Sequence, residues 1–184
     1  MRLFISIQVS PELHAHCHAL QKEFPGMKPV EEFHLTLQFL GEGIAEERVP
    51  DIVDRLSMIR FTPFEITLGE VTPFGHPKLP RGIWIRCRGG APLHQLADQV
   101  RSAMGNVGFL PDQAFAPHIT LGRYKKGPPQ VPRSLAGKEV SFTVEKFHLM
   151  QSHLSPEGPR YQAVADFSFT KQSKSMARAV KPSE

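Results

Sequence analysis

Two short segments of the chain share a pattern of residues that could support acid-base chemistry. His34 is followed two positions later by Thr36, and His118 is followed in the same way by Thr120, with apolar residues between and after them. Residues i and i+2 of a β-strand point to the same side, so each segment would present an imidazole and a hydroxyl together. Two such segments facing one cleft would supply two imidazoles and two hydroxyls.

This set of groups fits the hydrolysis of a phosphodiester. The reaction needs a base for the attacking water, an acid for the departing alkoxide, and donors for the phosphoryl oxygens. Histidine suits both proton roles because its ordinary pKa is about 6.5. Threonine hydroxyls can donate to phosphate, and Arg123 could add a positively charged fork. We therefore predict His34, Thr36, His118 and Thr120 as catalytic residues, with no metal and no cofactor.

The alternative without a function is that both histidines lie on the surface of a strand and have no catalytic role. From the composition alone, a chain like this is expected to contain a His-x-Thr pattern by chance about once in three cases, so two copies are uncommon. Both copies also fall on strand-like alternation, have apolar residues at the same two positions, and occupy corresponding places in two similar units. These coincidences favour the catalytic interpretation.

The elements that must position these residues alternate between strands and helices. Apolar alternation and helical spacing predict strands over 3–9, 33–40, 64–68, 83–87, 118–123, 141–144, 147–151 and 161–169, and helices over 11–24, 49–59 and 93–104. Proline and glycine predict a loop over 73–77 and a stiff connector over 127–132. Strict alternation over 33–40 places His34, Thr36 and Gln38 on one face, and Phe39 on the opposite face.

The same rule creates a conflict at Arg123. Alternation places its side chain opposite His118 and Thr120, where it could not reach a shared phosphate. Gly122 offers a solution, because a glycine at this position could mark a bulge or a strand end that re-aims the next side chain.

Several further segments accompany the two motifs. They are Arg2-Leu3-Phe4-Ile5, Arg81-Gly82-Ile83-Trp84, Phe115-Ala116-Pro117-His118, and the run from Ser152 to Tyr161. Together they resemble the two-histidine phosphoesterase superfamily, and within it the RNA 2′,3′-cyclic phosphodiesterases formerly called 2′-5′ RNA ligases. The resemblance extends to about Phe169.

This resemblance implies an α+β, bilobal single domain with pseudo-twofold symmetry, in which antiparallel sheets line a central cleft and helices lie outside. It also implies that His34 donates a proton, that His118 accepts one, and that Thr36 and Thr120 hold the phosphate. Hydrolysis would leave a 2′-phosphate without a metal, and reverse 2′-5′ ligation is possible in principle. The chain departs from the family at Glu31-Glu32, where relatives often carry Glu-Asn, and at Pro73-Phe74-Gly75, which differs from the usual Phe-Pro turn.

Other residues have competing interpretations. Phe39 and Trp84 could bind substrate by stacking on a base, although both also fit apolar strand positions, where a place in the core is the commoner role. His14, His16 and His18 look like a metal cluster, but on a helix His16 lies away from the other two. A solvated helix face explains them better.

The length, charge and overall composition of the chain indicate its domain organisation and the kind of partner it has. The 184 residues suit one domain, which we expect over 1–170, followed by a basic, flexible tail over 171–184. The net charge of +4 weakly favours an anionic partner, and we expect RNA with 2′,3′-cyclic phosphate ends or cyclic nucleotides. No secretory signal, membrane-spanning run or cysteine motif is evident in the sequence, so we expect a cytoplasmic protein without a membrane partner, as a monomer.

Two other functions remain open at this stage. One is a phosphodiesterase for another small substrate, such as 2′-5′ oligoadenylate or cyclic ADP-ribose phosphate. The other is a nucleotide- or RNA-binding module without turnover, although binding alone does not require two titratable rings.

Overall fold

The computed structural model describes residues 1–76, 78–125, 138–155 and 158–169. Within these residues the chain forms nine strands and three α-helices. The strands are β1 (Leu3–Gln8), β2 (Lys28–Pro29), β3 (His34–Gly41), β4 (Phe64–His76), β5 (Leu79–Arg88), β6 (His118–Arg123), β7 (Val140–Val144), β8 (Lys146–Ser155) and β9 (Gly158–Ser168). The helices are α1 (His14–Lys22), α2 (Val49–Ser57) and α3 (Gly90–Gly105). The predicted α+β class is confirmed.

The strands form one antiparallel sheet in the order β7-β4-β5-β6-β3-β1-β8-β9, with β2 attached to β6. The two sides of the sheet are equivalent. From the centre outward, β3 and β1 on one side correspond to β6 and β5 on the other, and helix α1 or α3 lies between the two strands of each pair along the chain. We call β3, β1, β8 and β9 the first half, and β6, β5, β4 and β7 the second half. The halves join where Leu35 of β3 pairs with Ile119 of β6, so the two expected sheets are continuous.

The helices and the hydrophobic core hold this junction in place. Leu35, Leu37, Ile119 and Leu121 are all buried in the main core cluster. Helix α1 contacts β6 and helix α3 contacts β3, so each helix packs over the motif strand of the other half. Truncating a buried leucine such as Leu35 to alanine typically costs about 2–5 kcal/mol of stability. The apolar residues of the motifs therefore fix the strands from one face and leave the opposite face to His34 and His118.

The predicted alternation over 33–40 is wrong beyond Leu37. Strand β3 has one more residue than β1 between Thr36, which pairs with Ser6, and Gln38, which pairs with Ile5. This bulge at Leu37 reverses the faces of the residues that follow. Gln38 therefore points into the core, where its Nε2 donates to the Phe109 carbonyl at 2.9 Å.

The predicted loop over 73–77 is also wrong for most of its length. Strand β4 continues to His76, with Pro73 opposite Ile83 and Phe74 opposite Gly82. Proline and glycine resemble turn residues in the sequence, but pairing with β5 keeps this segment extended. Pro77, the last residue of the predicted loop, lies outside the described residues, and β5 begins at Leu79.

Two predictions fall outside the described residues. They are the connector over 127–132 and the tail over 171–184. Within the part of the chain that the structure describes, no helix has the length and hydropathy needed to cross a membrane.

Candidate active site

The two His-x-Thr motifs lie side by side at the junction of the two halves. Because β3 and β6 are antiparallel and Leu35 pairs with Ile119, the register sets His34 against Thr120 and Thr36 against His118. All four side chains are half-buried, and they lie on the face of the sheet opposite the helices, which we call the motif face. The expected convergence of the two motifs is therefore present in the fold.

A bulge in β6 brings Arg123 to the motif face. Trp84 pairs with Thr120, and Gly82, two residues earlier on β5, pairs with Arg123, so β6 contains one extra residue at Leu121. Trp84 and Gly82 share a face of β5, which places Arg123 on the same face as Thr120. The bulge expected near Gly122 is confirmed, and it removes the conflict that strict alternation created.

The His34 ring lies in an aromatic pocket. Its centroid is 5.1 Å from that of Phe4 and 5.0 Å from that of Tyr161, whose ring meets it edge-on. The Nδ1 atom is buried and has no hydrogen-bond partner among the described residues. Burial lowers the pKa of His34 from 6.5 to about 4, and His118 contributes further in the same direction. His34 is therefore neutral at pH 7 in the absence of an anion.

The His118 ring has a polar partner and an aromatic one. Its Nδ1–H donates to the Ala116 carbonyl at 2.7 Å, which leaves Nε2 as the nitrogen able to accept a proton. The ring stacks on Trp84 with centroids 3.8 Å apart and planes 22° apart. Burial lowers the pKa of His118, the carbonyl of Ala116 opposes that shift, and the charge of Arg123 lowers it again.

A stack of planar groups continues from His118 to Arg123. The Trp84 ring stacks on the Phe74 ring, with the two centroids 4.4 Å apart. The guanidinium carbon of Arg123 lies 5.4 Å from the Phe74 centroid. A Cβ at Gly82 would come within 2.7 Å of the Phe74 ring and 2.2 Å of the Gly122 carbonyl oxygen, so the stack requires a glycine there. Trp84 itself is only half-buried and is not among the buried core residues, so the core position considered for it is wrong.

Phe39 also lies outside the core. It pairs with Phe4 on the motif face because of the bulge at Leu37, and 37% of its surface is exposed. The guanidinium of Arg2 lies 4.8 Å from its ring centroid. Phe39 and Arg123 both stand five residues after a motif histidine, so they occupy equivalent places in the two halves.

Comparison with known proteins identifies the family. The model of the 2′-5′ RNA ligase superfamily matches residues 9–156. The chain belongs to the 2′-5′ RNA ligase superfamily. The predicted membership of the two-histidine phosphoesterases is thereby confirmed, and the protein is an enzyme of that class.

The superfamily relatives cover almost the whole chain. A protein of Archaeoglobus fulgidus named RNA 2′,3′-cyclic phosphodiesterase is 35% identical over 176 residues, which is 91% of this chain and 99% of the relative. A crystal structure of TT0787 from Thermus thermophilus has a TM-score of 0.82 at 32% identity, with 92% and 98% of the two chains covered. The structure of Escherichia coli LigT complexed with 3′-AMP has a TM-score of 0.77 at 28% identity, again with 92% and 98% covered.

Two aromatic residues of this superfamily member were not predicted as site residues. Phe74 was missed because its segment was interpreted as a loop. Tyr161 was missed because it lies in a late strand without a motif of its own, although its segment was part of the family resemblance. Burial raises the pKa of Tyr161, while Arg123 lowers it, Glu32 raises it and Arg2 lowers it. The Tyr161 ring therefore lies within the field of charges from both halves.

The helix histidines of this superfamily member have structural contacts. His14 and His18 meet the Phe33 ring edge-on at 5.6 and 5.0 Å, and His18 hydrogen bonds to Gln21 at 2.9 Å. Among the described residues no group of three histidine, cysteine, aspartate or glutamate side chains is placed to hold a metal. The chemistry available at the site is that of two imidazoles, two hydroxyls and one guanidinium.

Proposed function

We propose that the protein hydrolyses the 2′,3′-cyclic phosphate of RNA ends or nucleosides to the 2′-phosphate, by acid-base catalysis with His34 and His118 and without a metal. The observation that carries the proposal is the antiparallel junction, which places each motif histidine beside the threonine of the other half. The relatives named RNA 2′,3′-cyclic phosphodiesterase support the choice of substrate.

His118 is suited to the role of base. Its Nδ1–H is already engaged by the Ala116 carbonyl, so Nε2 is free to take a proton from water while the carbonyl stabilises the imidazolium that forms. The water oxygen attacks phosphorus, and the bond between phosphorus and the 3′ oxygen breaks. His34 gives its proton to that departing oxygen, which yields a 3′ hydroxyl and a 2′-phosphate. Exchange with solvent then restores the two rings.

The lowered pKa of His34 is compatible with an acid only when an anion is bound. The free ring is neutral because burial penalises its charge. A cyclic phosphate beside the ring adds a negative charge that favours the imidazolium and raises its pKa again. His34 would therefore acquire its proton together with the substrate.

The remaining groups stabilise charge on the phosphoryl oxygens. Thr36 and Thr120 supply hydroxyl donors, and Arg123 supplies a fixed positive charge on the same face. No step of this scheme requires a metal ion. The same groups would also support 2′-5′ ligation, the reverse of cleavage at a 2′-5′ linkage, in which a 5′ hydroxyl takes the place of water and attacks the cyclic phosphate.

The test is to incubate the protein with the four nucleoside 2′,3′-cyclic phosphates, with and without EDTA, and to identify products by ³¹P NMR. Formation of 2′-phosphates at equal rates in both conditions is expected. Formation of 3′-phosphates would reject the assignment of the leaving oxygen, and loss of activity in EDTA that is restored by added Mg²⁺ or Mn²⁺ would reject metal independence. Turnover of 2′-5′ oligoadenylate but of none of the four would favour the alternative substrate. Tight binding of a 2′-nucleotide without turnover would indicate a binding module.

A further inference from the structure

A cationic cavity lies at the end of β5 and β6 that Arg123 occupies. Its volume is about 640 Å³, and its lining includes Arg81, Arg123, Lys125 and Tyr124. None of the described lining residues is acidic, so the cavity combines three side-chain cations without an internal counter-charge. Cavities of this composition attract anions and exclude cations.

The backbone places Arg81 at this cavity by a specific irregularity. Strand β5 has an extra residue at Arg81, because Phe74 pairs with Gly82 and Gly75 pairs with Pro80. Gly75 has a φ of +101°, and a Cβ there would come within 2.9 Å of the Arg81 nitrogen. The carbonyl of Arg81 accepts a hydrogen bond from the Tyr124 N–H at 2.9 Å. A bulge changes the direction of the side chain that it carries. This bulge is held by the close approach of Gly75 on β4 and by the hydrogen bond from Tyr124.

Arg123 links the cavity to the motif face. Its guanidinium lies over Phe74 in the stack that reaches His118, and its charge lowers the pKa values of both His118 and Tyr161. An anion in the cavity would therefore lie only one side chain away from a phosphate held by the motifs. In an RNA strand the phosphate groups follow one another at intervals of one nucleotide.

We propose that this cavity binds the phosphate on the 5′ side of the terminal nucleotide, with Arg81 and Lys125 as residues that determine specificity for RNA ends over free cyclic nucleotides. The inference rests on the proposed function, and it adds a second phosphate site to it. Phosphate contacts by arginine and lysine are charge-assisted and require no particular base. The preference would therefore be independent of sequence.

Three substrates test this inference. They are uridine 2′,3′-cyclic phosphate, its 5′-phosphorylated form, and the dinucleotide ApU that ends in a 2′,3′-cyclic phosphate. The 5′-phosphate alone should raise kcat/KM by about tenfold, the effect of one charge-assisted contact. The dinucleotide should show a similar gain, since the phosphate and not the added base is recognised. Raising the salt concentration should reduce both ratios.

Variants assign the effect to the cavity. Arg81→Ala and Lys125→Ala should bring the ratio of 5′-phosphorylated to unphosphorylated substrate toward one, and Arg81→Lys should retain part of it. Arg88→Ala is the matched control, since Arg88 lies at the other end of β5 in an ion pair with Glu139, and its ratio should equal that of the wild type. Thermal melting checks that each variant is folded.

The outcomes separate this inference from the proposed function. Turnover of all three substrates with equal kcat/KM would overturn the second phosphate site and leave the proposed function standing. A gain that survives in both Arg81→Ala and Lys125→Ala would overturn the assignment to this cavity. A gain seen with the dinucleotide but not with the 5′-phosphate would mean that the base is recognised instead. No turnover of any substrate would overturn the proposed function and this inference with it.

Discussion

The two halves of the molecule present the same motif in two different environments. His34 lies among Phe4 and Tyr161 with its Nδ1 buried and without a described partner, whereas His118 donates to a backbone carbonyl and stacks on Trp84. The strand geometry is the same in both, down to a bulge three residues after each histidine. The difference teaches that surroundings, and not the motif, give two identical side chains different proton affinities.

The halves differ again just beyond the bulges. Phe39 in the first half and Arg123 in the second occupy equivalent places on the motif face. Gln38, which anchors the core to Phe109, corresponds to Gly122, where a Cβ would come within 2.6 Å of the Lys28 carbonyl oxygen. The second half therefore places a guanidinium on the motif face, and the first half places an aromatic ring at the equivalent position.

Removal of either motif histidine should have the largest effect on activity. His34→Ala and His118→Ala should each lower kcat by on the order of a hundredfold or more, the usual contribution of a general acid or base. His153→Ala is the control, since that ring is exposed on β8, which β1 separates from the nearer motif strand β3. Steady-state kinetics with uridine 2′,3′-cyclic phosphate gives the values. A folded His118→Ala variant with full activity would exclude the two-histidine mechanism.

A substrate with a good leaving group should distinguish the two rings. A p-nitrophenyl phosphodiester accommodated at the site needs little help from an acid, so its hydrolysis by His34→Ala should recover by about tenfold or more relative to the cyclic substrate. The base variant His118→Ala should show no such recovery. Recovery in His118→Ala alone would reverse the assignment.

The pH dependence should reflect the desolvation of both rings. The reaction needs His34 protonated and His118 neutral, so kcat/KM should be bell-shaped. Burial lowers both pKa values in the free protein, so both limbs should lie below the ordinary histidine value of 6.5. The profile of kcat, which reports the complex with an anion, should shift to higher pH. A kcat/KM profile flat between about pH 5 and 9 would remove histidine catalysis.

The fluorescence of Trp84 should report the protonation state of the His118 ring. Trp84 is the single tryptophan of the chain and stacks on His118, and a protonated imidazole quenches indole fluorescence more strongly than a neutral one. Emission should therefore fall as the pH drops through the pKa of His118, and His118→Ala should lose this transition while His34→Ala retains it. An identical transition in His118→Ala would show that another group is being reported.

The sequence predicted much of this arrangement, and the failures have a physical cause. His34, Thr36, His118 and Thr120 were placed correctly because alternation holds as far as each threonine. The positions of Phe39 and Gln38 were wrong because the bulge at Leu37 depends on pairing with β1, and an inserted residue leaves no signal in one strand read alone. At Arg123 the glycine before it gave such a signal, and there the bulge was anticipated.

The smallest expected effect is on stability, and it compares the two pockets without a substrate. The unfolded chain binds a proton on His34 near pH 6.5, whereas the folded protein binds it only at about 4. Between these values the unfolded state holds more protons, so stability must fall as the pH falls from 6.5 toward 4. The loss should approach about 1.4 kcal/mol per pH unit, the value for one proton.

Urea unfolding of the wild type, His34→Leu and His118→Leu between pH 7 and pH 4 measures this loss. The free energy of unfolding of His34→Leu should depend less on pH than that of the wild type, by most of the value for one proton. The reason is that the His34 ring has no described polar partner to stabilise its charge. His118→Leu should reduce this dependence less, because the carbonyl of Ala116 accepts from the ring and opposes the lowering of its pKa. The carboxylates contribute equally to all three proteins, so they cancel in the comparison. If both variants changed the slope by the same amount, the two pockets would not differ in desolvation, and the separate proton roles would need another origin.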